Sequence, residues 1–508
     1  MIIARLPFPT RGFGMHDFSR RNFVKLASAL PGALLVGFDP VARSWVAFGQ
    51  ASPDPWAAVP KLDGSLLFDA SVREALATDR GQGIHRMPAA VLRPASVHDI
   101  VAMVRFANRH DIKIVVRGQG HSQYGQSLAE AGIVVDSSSL NAVRVVNSTT
   151  IAAQAGAFWN DVTRTSLAVG LTPPAMGNTM FLPVGGILSA GGISNSSHLH
   201  GAVVDTVQSL DVVTGAGDLV TCSPTHNREL FEMVLGGMGQ CGLIAEARIR
   251  LMPAPAYVAR QDFFHDDVGP FLRDMTRLTT EGRVDHLAGY GPVPGGDAAR
   301  FRTNVGAFGG TRDEAIARLA VGGLDAHAAK APEVTTYADY LHREDANNAA
   351  MAAAMKVTPK RYQYIAMFVP RQAADALVSS IIASPGESAG VARFPIQPLI
   401  TSKFARPMLK HPADDLIVVL WLFRSISASD ADAQAQAAEA NLAIIARVTA
   451  LGGKAYPPYA PYFTRAVWQE HYGPATWRRL VAAKRRFDPR GVLTPGPGVF
   501  TSRGGHTT

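Results

Sequence analysis

The residues with the most chemistry in the least space are Val116-Arg117-Gly118-Gln119-Gly120-His121-Ser122-Gln123-Tyr124-Gly125-Gln126. Three glycines surround one histidine, and the apolar run from Ile112 to Val116 ahead of them is predicted as a short buried strand. Glycine accepts positive φ and lets the backbone come close to a ligand. Successive N–H groups in such a turn make a concave anion site, suited to a pyrophosphate. An imidazole inside that turn sits against whatever the phosphates belong to. The same residues, taken alone, also suit a plain turn holding a structural histidine.

Other reactive types are scattered. Val184-Gly185-Gly186 through Ser194 is a second glycine-rich turn with paired glycines at each end, and Gly236-Gly237-Met238-Gly239-Gln240-Cys241-Gly242 is a third. His198 and His200 are spaced as metal ligands could be, but no carboxylate or cysteine pattern accompanies them, so no metal is expected. Asp266-Asp267, after Phe263-Phe264, offers either a pocket carboxylate or a solvated acidic turn. The two cysteines, Cys222 and Cys241, fall in an apolar strand and a glycine turn; two buried free thiols are expected.

The elements that must position the histidine follow from periodicity. Ala89 to Pro94 reads as a strand ending at proline. Ser96 then opens a helix with Asp99 in the capping-box place and Ile100, Val101, Val104 and Ala107 on its apolar face. With the strand from Ile112 this is a β-α-β unit whose second strand delivers the histidine turn. Gly132 to Asp136 and Thr150 to Gly156 are further strands, Phe158 to Val169 is a helix closed by Gly170, and Gln208 to Val213 with Leu219 to Cys222 form a hairpin around Thr214 to Asp218. Leu230 to Leu235 is a short helix, and Leu243 to Leu251 a strand. After Pro253 to Pro255 the glycine turns give way to strands such as Tyr364 to Pro370 and Leu416 to Leu422, and to the alanine-rich helix Ala431 to Thr449.

At 508 residues the chain exceeds one ordinary core. Its net charge of +8 comes without a basic run interleaved with aromatics, which argues against nucleic-acid binding. Ser19-Arg20-Arg21-Asn22-Phe23-Val24-Lys25 looks like a twin-arginine export signal. The apolar stretch Leu26 to Phe38 behind it, broken by Pro31 and Gly32, is too short for a membrane span, and Gly49-Gln50-Ala51 offers a cleavage site. Residues 1–51 are therefore expected to be a signal peptide, and the protein periplasmic or extracellular without stable membrane insertion.

The spacing R-G-x-G-H-S-x-x-G-Q at Arg117 to Gln126 resembles the flavin-attachment segment of cytokinin dehydrogenases, members of the vanillyl-alcohol-oxidase superfamily with a PCMH-type FAD-binding domain. The likeness extends to Val184 to Ser194, the hairpin end at Val220 to Ser223, Leu235 to Gln240, Phe368 to Arg371, Leu422 to Ser425, Trp468-x-x-His471-Tyr472-Gly473, Trp477, Asp488-Pro489 and Leu493 to Gly496. The resemblance implies an α+β fold. In it a PCMH-type FAD domain of two α+β subdomains, about 54–255 and completed by 451–508, carries an inserted α+β substrate domain at 256–450. It implies FAD held covalently through His121. Carried over by position, the flavin contacts are Gly118, Gln119, Gly120, Ser122, Gln126, Ser189, Ile193, Ile244, Tyr456 and Thr494. Doubly tethered relatives have a cysteine before the second glycine loop; Phe181-Leu182-Pro183 has none, so a single bond is implied.

Departures bear on the substrate. Cytokinin dehydrogenases carry an aspartate just before the second glycine loop, and Asn178 stands there in this chain. An amide cannot take up a proton near neutral pH, but its carbonyl can orient a substrate N–H or O–H. Asn178 and Tyr456 are the expected active-site residues. The expected reaction takes hydride from a C–H beside nitrogen or oxygen, most like oxidative removal of the N6 side chain of isoprenoid adenines, with oxygen or a quinone as electron acceptor. An alcohol, polyol or sugar oxidase on the same fold is the alternative. A flavin-holding protein without catalysis is the reading from another class.

Overall fold

The computed structural model describes the backbone of residues 33–39 and 44–49, and residues 54–293, 300–345, 350, 359–461 and 463–500 in full. The chain divides into two units, 1–61 and 62–508. In the first, Ala33–Asp39 pairs antiparallel with Ser44–Gly49, and Pro55–Ala58 makes one turn of 3-10 helix. The twin-arginine residues lie outside the described residues, and the later half of the apolar stretch behind them is strand.

In the second unit the expected β-α-β order is present. Ala90–Arg93 and Ile114–Arg117 lie on either side of Ile133–Asp136, parallel to it, and Ser65–Leu67 adds an antiparallel edge. The crossover helix Val97–His110 buries Ile100, Met103, Val104, Phe106 and Ala107, about 1.5–3 kcal/mol for each large side chain. Its start is held more firmly than a capping box alone would hold it. The Asp99 carboxylate accepts from the backbone N–H of Asp63 (2.7 Å), Gly64 (3.0 Å), Ala95 (2.8 Å) and Ser96 (3.2 Å). Burial works to raise its pKa, but these donors win and hold it below the ordinary carboxylate value.

A second sheet has the order Leu219–Cys222, Val207–Thr214, Gly242–Arg250, Thr150–Gln154, Val143–Asn147. Cys222 and Cys241 are buried, unbridged thiols. The chain's end returns to the first sheet. Ile114 N–H donates to Val492 O (2.9 Å) and Thr494 N–H to Ile114 O (2.9 Å), so residues 492–494 run beside the strand that leads into the histidine turn. Lys484, on the helix Arg465–Phe487, fastens this return. Its buried ammonium donates to Gln240 O (2.9 Å) and Leu493 O (3.2 Å) and pairs with Asp488 (2.6 Å).

Residues between these parts form a ten-stranded antiparallel sheet. On one face Val418, Leu420 and Leu422 join Ile365 and Met367 in a core closed by the helices Val268–Glu281, Arg371–Ala383 and Ala431–Ala450. Its other face looks toward the glycine turns. Lys454–Ala455 still belongs to this sheet, paired with Phe368 and Met367, so the sheet reaches past the boundary expected at 451.

Candidate active site

One cavity of about 410 Å³ is walled by the three glycine turns on one side and by the free face of the ten-stranded sheet on the other. Every flavin-contact and active-site residue that the resemblance implied lines it: Gly118, Gln119, Gly120, His121, Ser122 and Gln126 from the first turn, Asn178, then Ser189, Ile193, Ile244, Tyr456 and Thr494.

The histidine turn is built for close approach. Gly120 has φ +60°, and a Cβ there would run into the Arg117 guanidinium packed beneath it. A Cβ on Gly118 would meet the Pro183 ring at 2.4 Å. Among the described residues the backbone N–H groups of Gln119, Gly120, His121 and Ser122 find no protein acceptor, which leaves an open set of donors for an anion. Burial, with Arg80 nearby, pushes the His121 imidazole down to about 3, so it is neutral at physiological pH with a free nitrogen lone pair.

The second glycine segment, expected as a turn, is a helix, Val184–Ala190, ended by Gly191 (φ +111°) and Gly192 (φ +74°). Gly185 makes this possible by lying on Ala155, where a Cβ would fall 2.7 Å from the alanine methyl. Tyr456 pins the end of that helix: its oxygen accepts from Gly192 N–H at 2.9 Å. Burial raises the phenol well above its ordinary range, so Tyr456 stays un-ionised.

The third turn, at 236–242, contains Met238 at φ +51°, and opposite it Thr494 sits at φ +45°. Such a conformation in a β-branched residue costs roughly 1–3 kcal/mol. It is held by Thr494 Oγ1 donating to Gly239 O (3.0 Å), Thr494 N–H to Ile114 O, and Gln240 Nε2 to Thr494 O (3.0 Å). Gln126 crosses from the first turn to the returning chain, donating to Pro458 O at 3.2 Å.

Asn178 is clamped as an amide. Its Oδ1 accepts from Asn195 N–H (3.3 Å) and its Nδ2 donates to Asn195 Oδ1 (3.1 Å). One carbonyl lone pair and one amide N–H remain for a ligand.

The sheet wall was not read from the sequence as part of the site. Side chains alternate across a strand, so Trp421 and Phe423 face the cavity while Leu420 and Leu422 face the helices; Tyr364, Tyr290 and Gln397 join them from neighbouring strands. Phe423 pairs in register with Tyr364, with ring centroids 4.6 Å apart. Charge on this wall comes from Arg393, set over the Tyr290 ring (5.9 Å), and from Glu344, the one carboxylate among the described lining residues. The strand alternation was the available signal for the aromatics, but nothing local distinguishes which face meets the glycine turns.

Candidates elsewhere have structural partners. His198 Nε2 meets Val284 O at 2.8 Å. Asp266 pairs with Arg300 (3.3 Å) and is not among the lining residues. Among the described residues no group of three or more metal-ligating side chains is gathered, and no helix is long and apolar enough to cross a membrane.

Comparison with known proteins agrees with this geometry. Residues 88–223 match a family profile described as an FAD binding domain, and residues 326–500 match one described as cytokinin dehydrogenase 1, FAD and cytokinin binding. Cytokinin dehydrogenase 1 of Oryza sativa subsp. japonica is 31% identical over 90% of this chain and 96% of its own. An uncharacterized oxidoreductase of the fasciation locus of Rhodococcoides fascians is 31% identical over 82% of this chain and 95% of its own. The crystal structure of 6-hydroxy-D-nicotine oxidase from Arthrobacter nicotinovorans superposes with a TM-score of 0.65 at 21% identity, covering 86% of this chain and 97% of that one, and so shares the fold. The glycine turns with open N–H donors fit a dinucleotide, and both matched family profiles name FAD. This chain belongs to the cytokinin-dehydrogenase-like FAD-linked oxidoreductases of the PCMH-type fold, an FAD-dependent enzyme.

Proposed function

We propose that the enzyme oxidises a C–H bond next to nitrogen in a planar, N-substituted substrate, most like the N6-isoprenoid adenines, with FAD tethered singly through His121. The supporting observation is the poverty of bases around the aromatic wall. When bound, FAD supplies the acceptor for the donor's hydride. An alcohol must surrender its O–H proton as hydride leaves, which requires a base; an amine can hold the resulting cation on its nitrogen lone pair, so a base there speeds the step without being required. Asn178 is an amide, and burial pushes the phenols of Tyr456 and Tyr459 up and that of Tyr364 up to about 12. None of these takes a proton near neutral pH. In this reading Asn178 Oδ1 accepts from a substrate N–H, and the lining rings of Trp421, Phe423 and Tyr364 take up a flat heterocycle. Water then hydrolyses the imine to an amine and an aldehyde. His121 brings a neutral, buried nitrogen to the tether.

Glu344 supports a second reading, an alcohol or sugar donor with this carboxylate as base. The two separate in one experiment. Under anaerobic conditions isopentenyl adenine should bleach the flavin band of the purified protein, and Glu344→Gln should leave that rate within about threefold. Bleaching by sugars or alcohols that Glu344→Gln abolishes would instead select the alcohol reading. For the tether, acid-precipitated wild-type protein should stay yellow and His121→Ala should release its colour. We also propose export by the twin-arginine route, on the strength of Ser19 to Lys25. Cell fractionation should find the wild type outside the cytoplasm and the Arg20→Lys/Arg21→Lys variant inside it. The terminal electron acceptor, oxygen or a quinone, is set by which of the two restores colour to the bleached enzyme.

A further inference from the structure

The turn that carries His121 is gripped by a segment no motif announced. Asp79 is 1% exposed. Its Oδ2 accepts from Gly125 N–H (2.7 Å) and Ser122 Oγ (3.0 Å), and its Oδ1 accepts from Gly81 N–H (3.1 Å). The next residue, Arg80, donates its N–H to Gly120 O at 2.8 Å. The residues on both sides of His121 are thus held by consecutive positions of one turn. Gly81 lies so close that a Cβ would stand 2.0 Å from Gln123 O, so only glycine fits. Beneath the turn the Arg117 guanidinium packs against Gly120 and adds a positive charge near Asp79. The same segment reaches the substrate wall: Tyr362 N–H donates to Gly81 O (3.2 Å), and the Arg80 guanidinium stands over the Tyr362 ring at 5.3 Å.

We propose that Asp79, with Arg80 and Gly81, is the positioning element for cofactor attachment: it fixes the backbone on either side of His121 so that the imidazole is presented at one place relative to the sheet wall. This rests on the tether reading above. Attachment forms a bond between an imidazole nitrogen and the 8α carbon of the cofactor. An N–H and a C–H bond break, and two protons and two electrons leave to the external oxygen or quinone. Reach and orientation of the nitrogen govern that step. Reversible binding of the dinucleotide draws also on the other two glycine turns, which the grip does not touch, so it is less sensitive to the pose of this one turn.

The inference therefore predicts a split between binding and attachment. Apoprotein is mixed with FAD, total bound flavin is measured by gel filtration, and the attached fraction is followed by acid precipitation over time. Asp79→Asn keeps the shape but replaces one acceptor oxygen with a donor that meets the N–H groups head-on. It should still bind FAD while attaching it about tenfold more slowly or worse, the loss expected from charge-assisted hydrogen bonds. Asp79→Glu should recover part of the rate. Attachment by Asp79→Asn at the wild-type rate would overturn the inference. If that variant fails to fold by circular dichroism, Gly81→Ala, whose Cβ presses on Gln123 O outside the cavity, decides: slowed attachment with retained binding supports the grip, and an unchanged rate overturns it. A wild-type precipitate without colour would sink the tether reading itself, and is seen before any variant is measured.

Discussion

At position 178 an amide replaces the carboxylate expected of the family, and the contacts explain how the chain accommodates it. Asn178 and Asn195 satisfy each other through two hydrogen bonds, so the amide is the shape this pair requires. An aspartate at 178 would keep the bond from Asn195 N–H and could take another from a reoriented Asn195 amide. Asn178→Asp should therefore fold, and should add a proton acceptor beside the substrate. The expected outcome is a rate of anaerobic flavin reduction by isopentenyl adenine that rises through the carboxylate range, near pH 4–5, to a plateau on the order of a hundredfold above wild type. The wild type should show no such inflection. A flat profile in the variant would mean that residue 178 does not face the substrate nitrogen.

Among the elements, the C-terminal helix and the strand-like segment after it matter more than their distance in sequence suggests. Residues 492–494 complete the edge beside Ile114, and they hold Thr494 in its strained conformation against Gly239. Lys484 is the fastening, and its partner Asp488 is itself buried while accepting from Val492 N–H (3.0 Å) and Leu493 N–H (3.0 Å). Lys484→Met leaves that carboxylate without its cation. It should lower unfolding free energy by about 3–5 kcal/mol, read from chemical denaturation, and should weaken FAD uptake by the apoprotein because the third glycine turn loses its anchor at Gln240.

Over the whole molecule, several histidines are buried neutral. Burial holds His198 at about 4 and His471 at about 3, and holds His286, which bridges Tyr340 and Asn304, well below the ordinary value. In the unfolded chain each protonates near 6.5. Between that value and the folded one the unfolded state binds more protons, so stability is full above about pH 6.5 and falls as the solution is acidified toward the folded values, by roughly 1.4 kcal/mol per pH unit for each such histidine. Denaturation midpoints measured at pH 7 and pH 5 should differ accordingly, and His471→Phe, which removes a titrating ring from an aromatic cluster, should flatten the dependence.

The glycine turns, the β-α-β unit leading to His121 and the membership of the family are legible in the chain read residue by residue. Each rests on local rules: glycine where φ must be positive, alternation or 3.6-residue spacing where a face is buried, and one histidine at a fixed offset. The second glycine segment reads as a turn because paired glycines disfavour helix, whereas in the fold it is a helix packed so closely on Ala155 that Gly185 has no room for a Cβ. Asp79 carries no signal in the sequence because a lone aspartate has no pattern, and its value comes from a hydroxyl and an N–H forty and more positions away. The same is true of Trp421, Phe423, Tyr290, Arg393 and Glu344. Which strand face meets the histidine turn, and therefore which side chains a substrate touches, is decided only when distant segments pack, since the free energy that selects that face is burial shared between the two halves of the fold.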